Sequence, residues 1–389
     1  MYSKRILMIV LCCLLLIKVQ AQTTASVEEI DFHSLNLYNN AQWRSLILYG
    51  RENKLAGKEL PLLRMRVGYA ALMLGNYSQS LRWYHQVLQQ EPDNNLALYY
   101  VYLNNIYLNN SSGARYYASR LSTETKSSEK ISKIKCYSVE TEYSYKMTTD
   151  TFRKNAQYAR IGLSLQLGYK LEFQQSIAWY KQRISEPSMT SVTNNTNIDL
   201  NLKEYYGKLI FTASGKTSIL GGFHYLNSPF NNYTFNNTII FGGVNYASPF
   251  VHIKAIANLA NLSDSTYHQY DVTISYFPLG NTKYYGISRA TYSKSLIFSQ
   301  IAGIGVTKNI WLEGNITFGS YHTSLENDAL FVFNDIDTKE FKMGGSMYAS
   351  LYKKLTLTVN YTFEQKLKYQ TTNNYFYQHS ITTGLSWKF

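Results

Sequence analysis

The sequence predicts an α+β membrane protein, in which an N-terminal α-helical module is followed by a transmembrane antiparallel β-barrel of about 14 strands. Two observations support this fold class, a change in the spacing of apolar residues and the composition of the chain. Apolar residues follow a helical spacing up to about residue 128, and from 129 to 389 they alternate with polar residues. The chain also has 36 Tyr and 18 Phe with a mean hydropathy of −0.26, which suits a barrel with a lipid-facing side, a polar lumen and aromatic girdles.

Residues 1–21 have the pattern of a secretory signal peptide. Lys4 and Arg5 precede an apolar run at 6–17, and Ala21 closes a small-residue cleavage site. The run is too short to span a membrane as a helix, so we expect its removal, with a short N-terminal anchor as the alternative. Removal leaves Cys136 as the remaining cysteine, and we expect no disulfide, no metal site and no cofactor.

The mature chain would be basic. Without the leader it has 35 basic and 25 acidic residues, a net charge of +10. We expect no nucleic acid partner, because an exported protein without a basic cluster has no use for one. Anionic lipid headgroups or an acidic solute fit this charge better.

Residues 22–128 are predicted to form a helical domain with tetratricopeptide-like repeats. Small residues, aromatics and a closing proline fall at the positions of one such repeat, namely Gly68, Gly75, Tyr77, Ser80, Tyr84, Leu88 and Pro92. Trp43 and Ala114 stand roughly 34 residues from Tyr77 and Ser80, which indicates degenerate flanking repeats. Modules of this kind offer a concave surface, so we predict docking of a periplasmic or envelope protein, with a helical cap on the barrel mouth as the alternative.

Residues 129–389 are predicted to form the barrel. Residues 355–363 alternate without a fault, and about 14 such segments follow one another, an even number as expected for a bacterial single-chain barrel. Short connections alternate with long ones, the longest spanning 323–339. Because short turns face the periplasm, the helical domain and the C-terminus are placed on that side. A soluble β-sandwich is the alternative.

Charged residues on the polar faces are predicted to point into the lumen, because a Lys or Arg facing lipid costs about 2–4 kcal/mol at the midplane. They are Glu140, Glu142, Arg160, Glu172, Glu204, Lys208, His224, Lys254, Asp271, Glu313 and Glu364. Their mixed signs suit either a water-filled path or a plug of ion pairs. We favour a narrow or partly plugged lumen.

No catalytic residue is assigned, and the chain is more consistent with a non-enzyme. The sharpest catalytic pattern is His322 with Ser324 on one strand face and Glu326 near enough to orient the imidazole. Nothing supplies an oxyanion hole. The acidic residues between 325 and 339, which include Asp328 and Asp335, lack the spacing of a calcium loop, so we predict a solvated acidic loop with an apolar tip.

The last strand, 375–389, carries Leu385, Trp387 and Phe389 on one face and small polar residues on the other. It resembles the closing strand of bacterial outer-membrane barrels, and the resemblance implies that Trp387 and Phe389 are read by the barrel-assembly machinery. The combination of a signal peptide, tetratricopeptide-like helices and a C-terminal barrel, together with segment 243–249, is similar to outer-membrane proteins of the YaiO type. Some of these proteins carry such helices. The resemblance implies the outer membrane, its lipids as partners and helices in the periplasm, but no catalytic motif.

Three functions therefore stay open. The first is a barrel whose helices dock a partner for transport or assembly at the outer membrane. The second is a passive pore for small solutes, suggested by the charged lumen. The third is an outer-membrane lipid hydrolase centred on Ser324.

Overall fold

A computed structural model describes residues 26–58, 60–187, 195–230, 233–263, 265–369 and 371–389. The predicted signal peptide at 1–21 lies outside these residues. No helix among the described residues is long and apolar enough to cross a membrane.

Seven helices occupy the N-terminal part of the described chain. They are α1 Val27–Asn39, α2 Trp43–Leu55, α3 Pro61–Met73, α4 Tyr77–Gln90, α5 Asn95–Tyr107, α6 Ser111–Arg120 and α7 Thr123–Ser128. Their starts are set by sequence, because α1, α4, α5, α6 and α7 each begin after an Asn or Ser whose side chain accepts a main-chain N–H of the first turn. Pro61 opens α3, where its missing N–H costs nothing.

The repeat-like residues fall at contacts between consecutive helices. Gly68 lies against the ring of Tyr84, and a Cβ there would be 2.8 Å from a ring carbon. The Ser80 hydroxyl accepts a 2.8 Å hydrogen bond from Asn104, and Tyr77 stacks on Tyr107 at 4.7 Å between centroids. Gly75 has φ +71° just after α3, Leu88 is buried, and the Pro92 carbonyl accepts a bond from Arg120.

The described strands number fourteen and form a closed antiparallel barrel, which confirms the predicted fold class. They are β1 Ile134–Thr148, β2 Ala156–Leu167, β3 Leu171–Pro187, β4 Asn195–Thr212, β5 Thr217–Phe230, β6 Tyr233–Ala247, β7 Val251–Leu262, β8 Ser265–Tyr276, β9 Tyr284–Tyr292, β10 Leu296–Gly305, β11 Ile310–Glu326, β12 Phe331–Tyr352, β13 Leu355–Leu367 and β14 Tyr375–Lys388. Each strand pairs with its sequence neighbours. The last strand closes on the first, from Ser138 opposite Lys388 to Thr148 opposite Gln378.

The two faces of the wall differ as alternation requires. The outer face exposes large apolar side chains, among them Ile240, Leu259, Phe298, Leu312 and Ile381. The inner face carries buried polar and charged groups such as Glu172, His224 and Asp271. The barrel is therefore apolar outside and polar inside.

The prediction of a long loop at 323–339 is wrong. Strand β11 extends to Glu326 and β12 starts at Phe331, which leaves a four-residue turn. Asn327, Asp328 and Ala329 in this turn have φ of 53°, 60° and 58°. Such values reverse the chain tightly, so the segment is a hairpin and not an open acidic loop.

Candidate functional site

The hairpin formed by residues 320–339, hereafter the inserted hairpin, bends away from the wall. Regular pairing of β11 with β12 runs up to Phe318 opposite Phe341, and the register then shifts on both sides of Tyr321. Gly319 sits at the bend with φ +136°, where a Cβ would lie 2.9 Å from the Leu296 carbonyl oxygen. Glycine is needed here both for its conformation and for the close approach of β10.

The tip of the inserted hairpin is held by charge. One oxygen of the Asp328 carboxylate lies 3.1 Å from the Lys208 ammonium, and the other lies 2.5 Å from that of Lys254. The Tyr206 hydroxyl donates a 3.0 Å hydrogen bond to the Asp328 carbonyl, and a ring nitrogen of His224 lies 2.8 Å from the Ala329 carbonyl. These partners come from β4, β5 and β7, so the tip lies against the inner wall.

Apolar packing supports the same placement. Leu325 and Ala329 of the inserted hairpin are 0% and 1% exposed, and Leu330 and Val332 pack beside them. They join a buried cluster on the inner face of β4–β8 that consists of Tyr206, Leu220, Leu226, Ile239, Phe241, Ile256, Ala260, Leu262 and Tyr267. The apolar residues of the otherwise polar lumen wall therefore pack against apolar residues of the inserted hairpin.

One edge of the inserted hairpin is fixed to β8 and β9. The Gln269 side chain accepts the Leu325 N–H at 2.9 Å and donates to the Leu325 carbonyl at 2.7 Å. Arg289 donates to the same carbonyl at 2.6 Å and to the Asp271 carboxylate at 2.6 Å. Asp271 also accepts bonds from Asn258 and Thr291, so its charge is fully compensated.

The opposite edge reaches the other side of the wall. Lys366 of β13 binds Asp335 at 2.9 Å, and Arg153 forms an ion pair with Asp337. Phe331 contacts the ring of Tyr158 on β2 at 6.2 Å between centroids. Because these contacts are with β2 and β13 while the tip contacts β4, β5 and β7, the inserted hairpin crosses the lumen and obstructs it.

Several of these groups were not anticipated from the sequence. They are Arg153, Arg289, Lys339, Lys342 and Lys366, each of which pairs with an acidic group in or beside the inserted hairpin. Alternation alone could have indicated Lys366, since it lies two residues after Glu364 on the same face. Arg289 and Lys342 also lie on the inner faces of wall strands, whereas the pairing of Lys342 with Glu326 and of Arg153 with Asp337 depends on the bend at Gly319.

The lumen nearer the short turns is lined differently. There β12, β13, β14 and β1 present hydroxyl and amide groups that hydrogen-bond to one another. Asn360 donates to the Ser346 hydroxyl at 2.8 Å, and Thr382 donates to the Ser144 hydroxyl at 2.8 Å. Arg160 binds Glu140 and Glu142 at 3.2 and 3.1 Å, and the Glu140 side chain is 41% exposed. This half of the lumen offers small polar groups to whatever enters it.

The remaining inner-face residues are also engaged. Glu172 forms a buried ion pair with Arg115, which belongs to α6. Glu204 lies 3.3 Å from a ring nitrogen of His224. Glu364 binds Lys339 at 2.6 Å. Glu313 accepts hydrogen bonds from Tyr285 and Tyr348.

The three catalytic candidates are not brought together. His322 is exposed, with a ring nitrogen 3.2 Å from the Ile336 carbonyl. Glu326 binds Lys342 at 2.8 Å, so it does not orient the imidazole. Ser324 is buried, and none of its described contacts is with His322. The arrangement required for nucleophilic catalysis is therefore not formed by these residues.

The helices pack on the end of the barrel that carries the turns β2–β3, β4–β5, β6–β7 and β8–β9, hereafter the short-turn end. The Ser78 N–H donates to the Gly280 carbonyl at 2.9 Å, and Asn281 donates to the Gly75 carbonyl at 3.1 Å. Arg82 lies over the ring of Phe250 at 4.4 Å. Together with the Arg115 ion pair, these contacts cover the turns from β2 to β9.

A row of aromatic rings follows the helices. Trp43, Tyr38 and Tyr69 are mutually in contact at 5.3–5.7 Å between centroids. Tyr69 contacts Tyr100 at 5.6 Å, and Tyr100 stacks on Tyr84 at 4.9 Å. All except Tyr84 keep part of their surface exposed. The row could contact an apolar or aromatic partner.

No family model matches the chain, and no curated protein matches it. Among solved structures it is similar to a mutant of the monoaromatic hydrocarbon channel TodX, with 7% identity, 65% of this chain, 90% of that chain and a TM-score of 0.47. A Pseudomonas aeruginosa FadL homologue has 7% identity over 71% and 92% of the two chains, with a TM-score of 0.46. The Acinetobacter baumannii outer membrane protein Omp33 has 8% identity over 65% and 99%, with a TM-score of 0.40. At these identities the likeness concerns the barrel fold alone.

Proposed function

We propose that this chain is an outer-membrane β-barrel that conducts small polar solutes and is closed at rest by its inserted hairpin. The observation that carries the proposal is the crossing of the lumen by residues 320–339, with Asp328 held between Lys208 and Lys254. A passive pore that is always open does not agree with this obstruction. The pore hypothesis therefore becomes one of a gated conduit.

The outer surface supports insertion in a membrane. Ile240 and Leu296 on the outer face are 64% and 66% exposed, and many other apolar side chains surround the barrel with them. A belt of this extent is far larger than the apolar patches of soluble monomers. It matches the lipid-facing band of outer-membrane barrels.

The attachment of the inserted hairpin supports a movable part. Main-chain pairing of the wall continues below it, where Phe318 pairs with Phe341. Most of its contacts with the rest of the inner wall are made by side chains, and many are ion pairs. Contacts of this kind can separate while the pairing of β11 with β12 from Ile310 to Phe318 stays formed.

Planar-bilayer recordings of the full chain test the gate. We expect the unmodified protein to be closed for most of the record. Replacing residues 320–337 by a short Gly-Ser turn should give a steady conductance, because the obstruction is removed while Thr338 and Lys339 keep their pairing with β13. A matched control replaces residues 371–374, in the connection between β13 and β14, by the same number of Gly and Ser residues and should stay closed. A silent hairpin-deleted barrel would falsify the conduit.

A second candidate function is docking of a periplasmic or envelope protein by the helices, and the partly exposed aromatic row favours it. With it we retain as proposals the tetratricopeptide-like character of 22–128, the signal peptide at 1–21 and a role for Trp387 and Phe389 in barrel assembly. The test is photo-crosslinking in cells from position 69 of the full chain. A protein captured by the intact row but not by a Tyr100→Ala variant supports docking, and equal capture by both contradicts it.

A further inference from the structure

One carboxylate on the inner face has no positive partner among the residues that the structure describes. Every other acidic residue named above on the inner face or the inserted hairpin lies within 4 Å of an Arg, Lys or His side chain, whereas the ion pairs of the described residues do not include Glu313. Its two oxygens accept hydrogen bonds from the Tyr285 hydroxyl at 2.5 Å and the Tyr348 hydroxyl at 2.7 Å. The Glu313 carboxylate is therefore hydrogen-bonded but not ion-paired, at a partly exposed position.

Aromatic rings surround this carboxylate, and glycines make room for them. Glu313 pairs with Gly303 on β10, and the ring of Tyr285 lies over Gly303 so closely that a Cβ there would be 2.1 Å from it. Trp311 lies in the same way over Gly305, 3.1 Å from the position of a Cβ. Tyr348 stands opposite Trp311 on β12. Three aromatic side chains and one carboxylate therefore share one patch of the inner wall.

The neighbouring lysine does not neutralise the patch. Carbon atoms of Lys283 approach Gly305, but its ammonium lies 5.9 Å from the centre of the Tyr284 ring, on the other face of the strand. Glu313 lies in β11 between the turn 306–309 and the bend at Gly319, so it belongs to the part of the wall below the inserted hairpin. The turn 306–309 is also outside the turns from β2 to β9 that the helices contact. The patch therefore faces the half of the lumen that the inserted hairpin does not fill.

We propose that Glu313, Tyr285, Tyr348 and Trp311 form a binding site for a small organic cation, such as a quaternary ammonium or amine. Aromatic faces attract cations, and they favour weakly hydrated organic ones when a carboxylate supplies the counter-charge. A compact metal ion would require several converging oxygens, which a single carboxylate already bonded to two phenols does not provide. The site deepens the proposed conduit by naming a solute class, but its occupancy does not require the hairpin to open.

Calorimetric titration of the purified full-length protein with tetramethylammonium chloride tests the site at constant ionic strength. We expect saturable binding that Glu313→Gln weakens about tenfold or more, because the charge is lost while size is kept. Glu140→Gln removes another carboxylate of the same half of the lumen, one already paired with Arg160, and should leave binding unchanged.

Two further measurements separate this site from general charge attraction. Tyr348→Leu keeps the carboxylate but removes a ring, and should weaken tetramethylammonium several-fold. Uncharged tert-butanol should produce no saturable heat. Equal binding by Glu313→Gln, or displacement of tetramethylammonium by an equal concentration of sodium, would overturn the proposal. Because heat is measured and not current, a failed site and a failed gate give different results.

Discussion

The two ends of the barrel are covered in different ways. At the end away from the helices, the inserted hairpin is held by ion pairs such as Asp328 with Lys208 and Lys254. Side-chain hydrogen bonds to its carbonyl groups and an apolar cluster hold it as well. At the short-turn end, the helices rest on the turns through the main-chain bond from Ser78 to Gly280, side-chain hydrogen bonds such as Asn281 to Gly75, and the buried ion pair of Arg115 with Glu172. Ion pairs predominate at one end, and hydrogen bonds and packing contacts at the other.

This difference indicates which cover can move. The charged groups of an ion pair regain their hydration when they separate into a wet lumen, so movement of the inserted hairpin would expose Asp328, Lys208 and Lys254 to water and not to a dry interior. Main-chain bonds and close packing of Tyr117 against Gly215 offer no such alternative. We therefore expect the inserted hairpin to respond to conditions and the helices to remain in place.

The largest effect is expected from Asp328→Ala. The variant leaves two lysine ammonium groups without their counter-charge, and breaking a buried pair costs about 3–5 kcal/mol. The inserted hairpin should loosen, and the fraction of time that the barrel conducts in planar bilayers should rise at least tenfold. Asp93→Asn removes an exposed carboxylate in the connection between α4 and α5 and serves as the control. Unchanged closure in Asp328→Ala would show that the ion pairs do not hold the gate.

Arg115→Ala should act on the other end alone. It leaves Glu172 buried without a positive partner, at a cost of about 3 kcal/mol that the remaining helix contacts partly absorb. We expect faster cleavage by an added protease between α7 and β1, at 129–133, with no change in conductance. Arg120→Ala, at a more exposed position, is the matched control. A rise in conductance would mean that the helices take part in closing the lumen.

Gly68→Ala should destabilise the packing of α3 against α4 without removing a contact between the helices and the barrel. The added methyl group would lie 2.8 Å from the Tyr84 ring, and overpacking of this kind costs about 1–3 kcal/mol. The urea midpoint of the helices, followed by tryptophan fluorescence, should fall. Gly75→Asn places a residue that tolerates positive φ where no atom lies within 4 Å, so its midpoint should change less. Equal midpoints for both variants would contradict the predicted contact.

The smallest effect is expected from pH at the helix–barrel contact. Burial, and then the nearby Lys216 charge, lower the pKa of His85 from 6.5 to about 4. The unfolded chain therefore takes up a proton between pH 6.5 and 4 that the folded chain refuses, so stability is lost as pH falls through this window. The urea midpoint of the helices should decrease from pH 7 to pH 5. His85→Gln should remove most of this decrease, and an unchanged slope would exclude His85 as its source.

The wall of the barrel could be predicted from the sequence because its signal is repeated. Alternation gives the faces of each strand, and counting its interruptions gives their number and order. The predicted alternation of short and long connections does not hold, because β8 and β9 are joined by seven residues, 277–283, and β9 and β10 by three, 293–295. The pairing of β14 with β1 follows from closure of an even array, as Trp387 opposite Val139 illustrates. These properties are local or follow from counting.

The inserted hairpin could not be predicted, because its evidence is spread along the chain. Asp328 reads as a solvated acidic residue until Lys208, 120 positions earlier, is placed beside it. Glu326 and His322 seemed to be partners by proximity in sequence, yet the bend at Gly319 directs Glu326 to Lys342. The contact of Ser78 with Gly280 depends on main-chain atoms and leaves no trace in residue type.

The bend at Gly319 also separates two tasks within one pair of strands. Below it, β11 and β12 are ordinary members of the wall, with pairing from Ile310 opposite Ala349 to Phe318 opposite Phe341. Above it, the same strands enter the lumen, except that Thr338 and Lys339 of β12 remain paired with β13. The segment can therefore be exchanged, shortened or extended as a cassette without altering the barrel that carries it, which makes it the natural position for grafting new selectivity onto this scaffold.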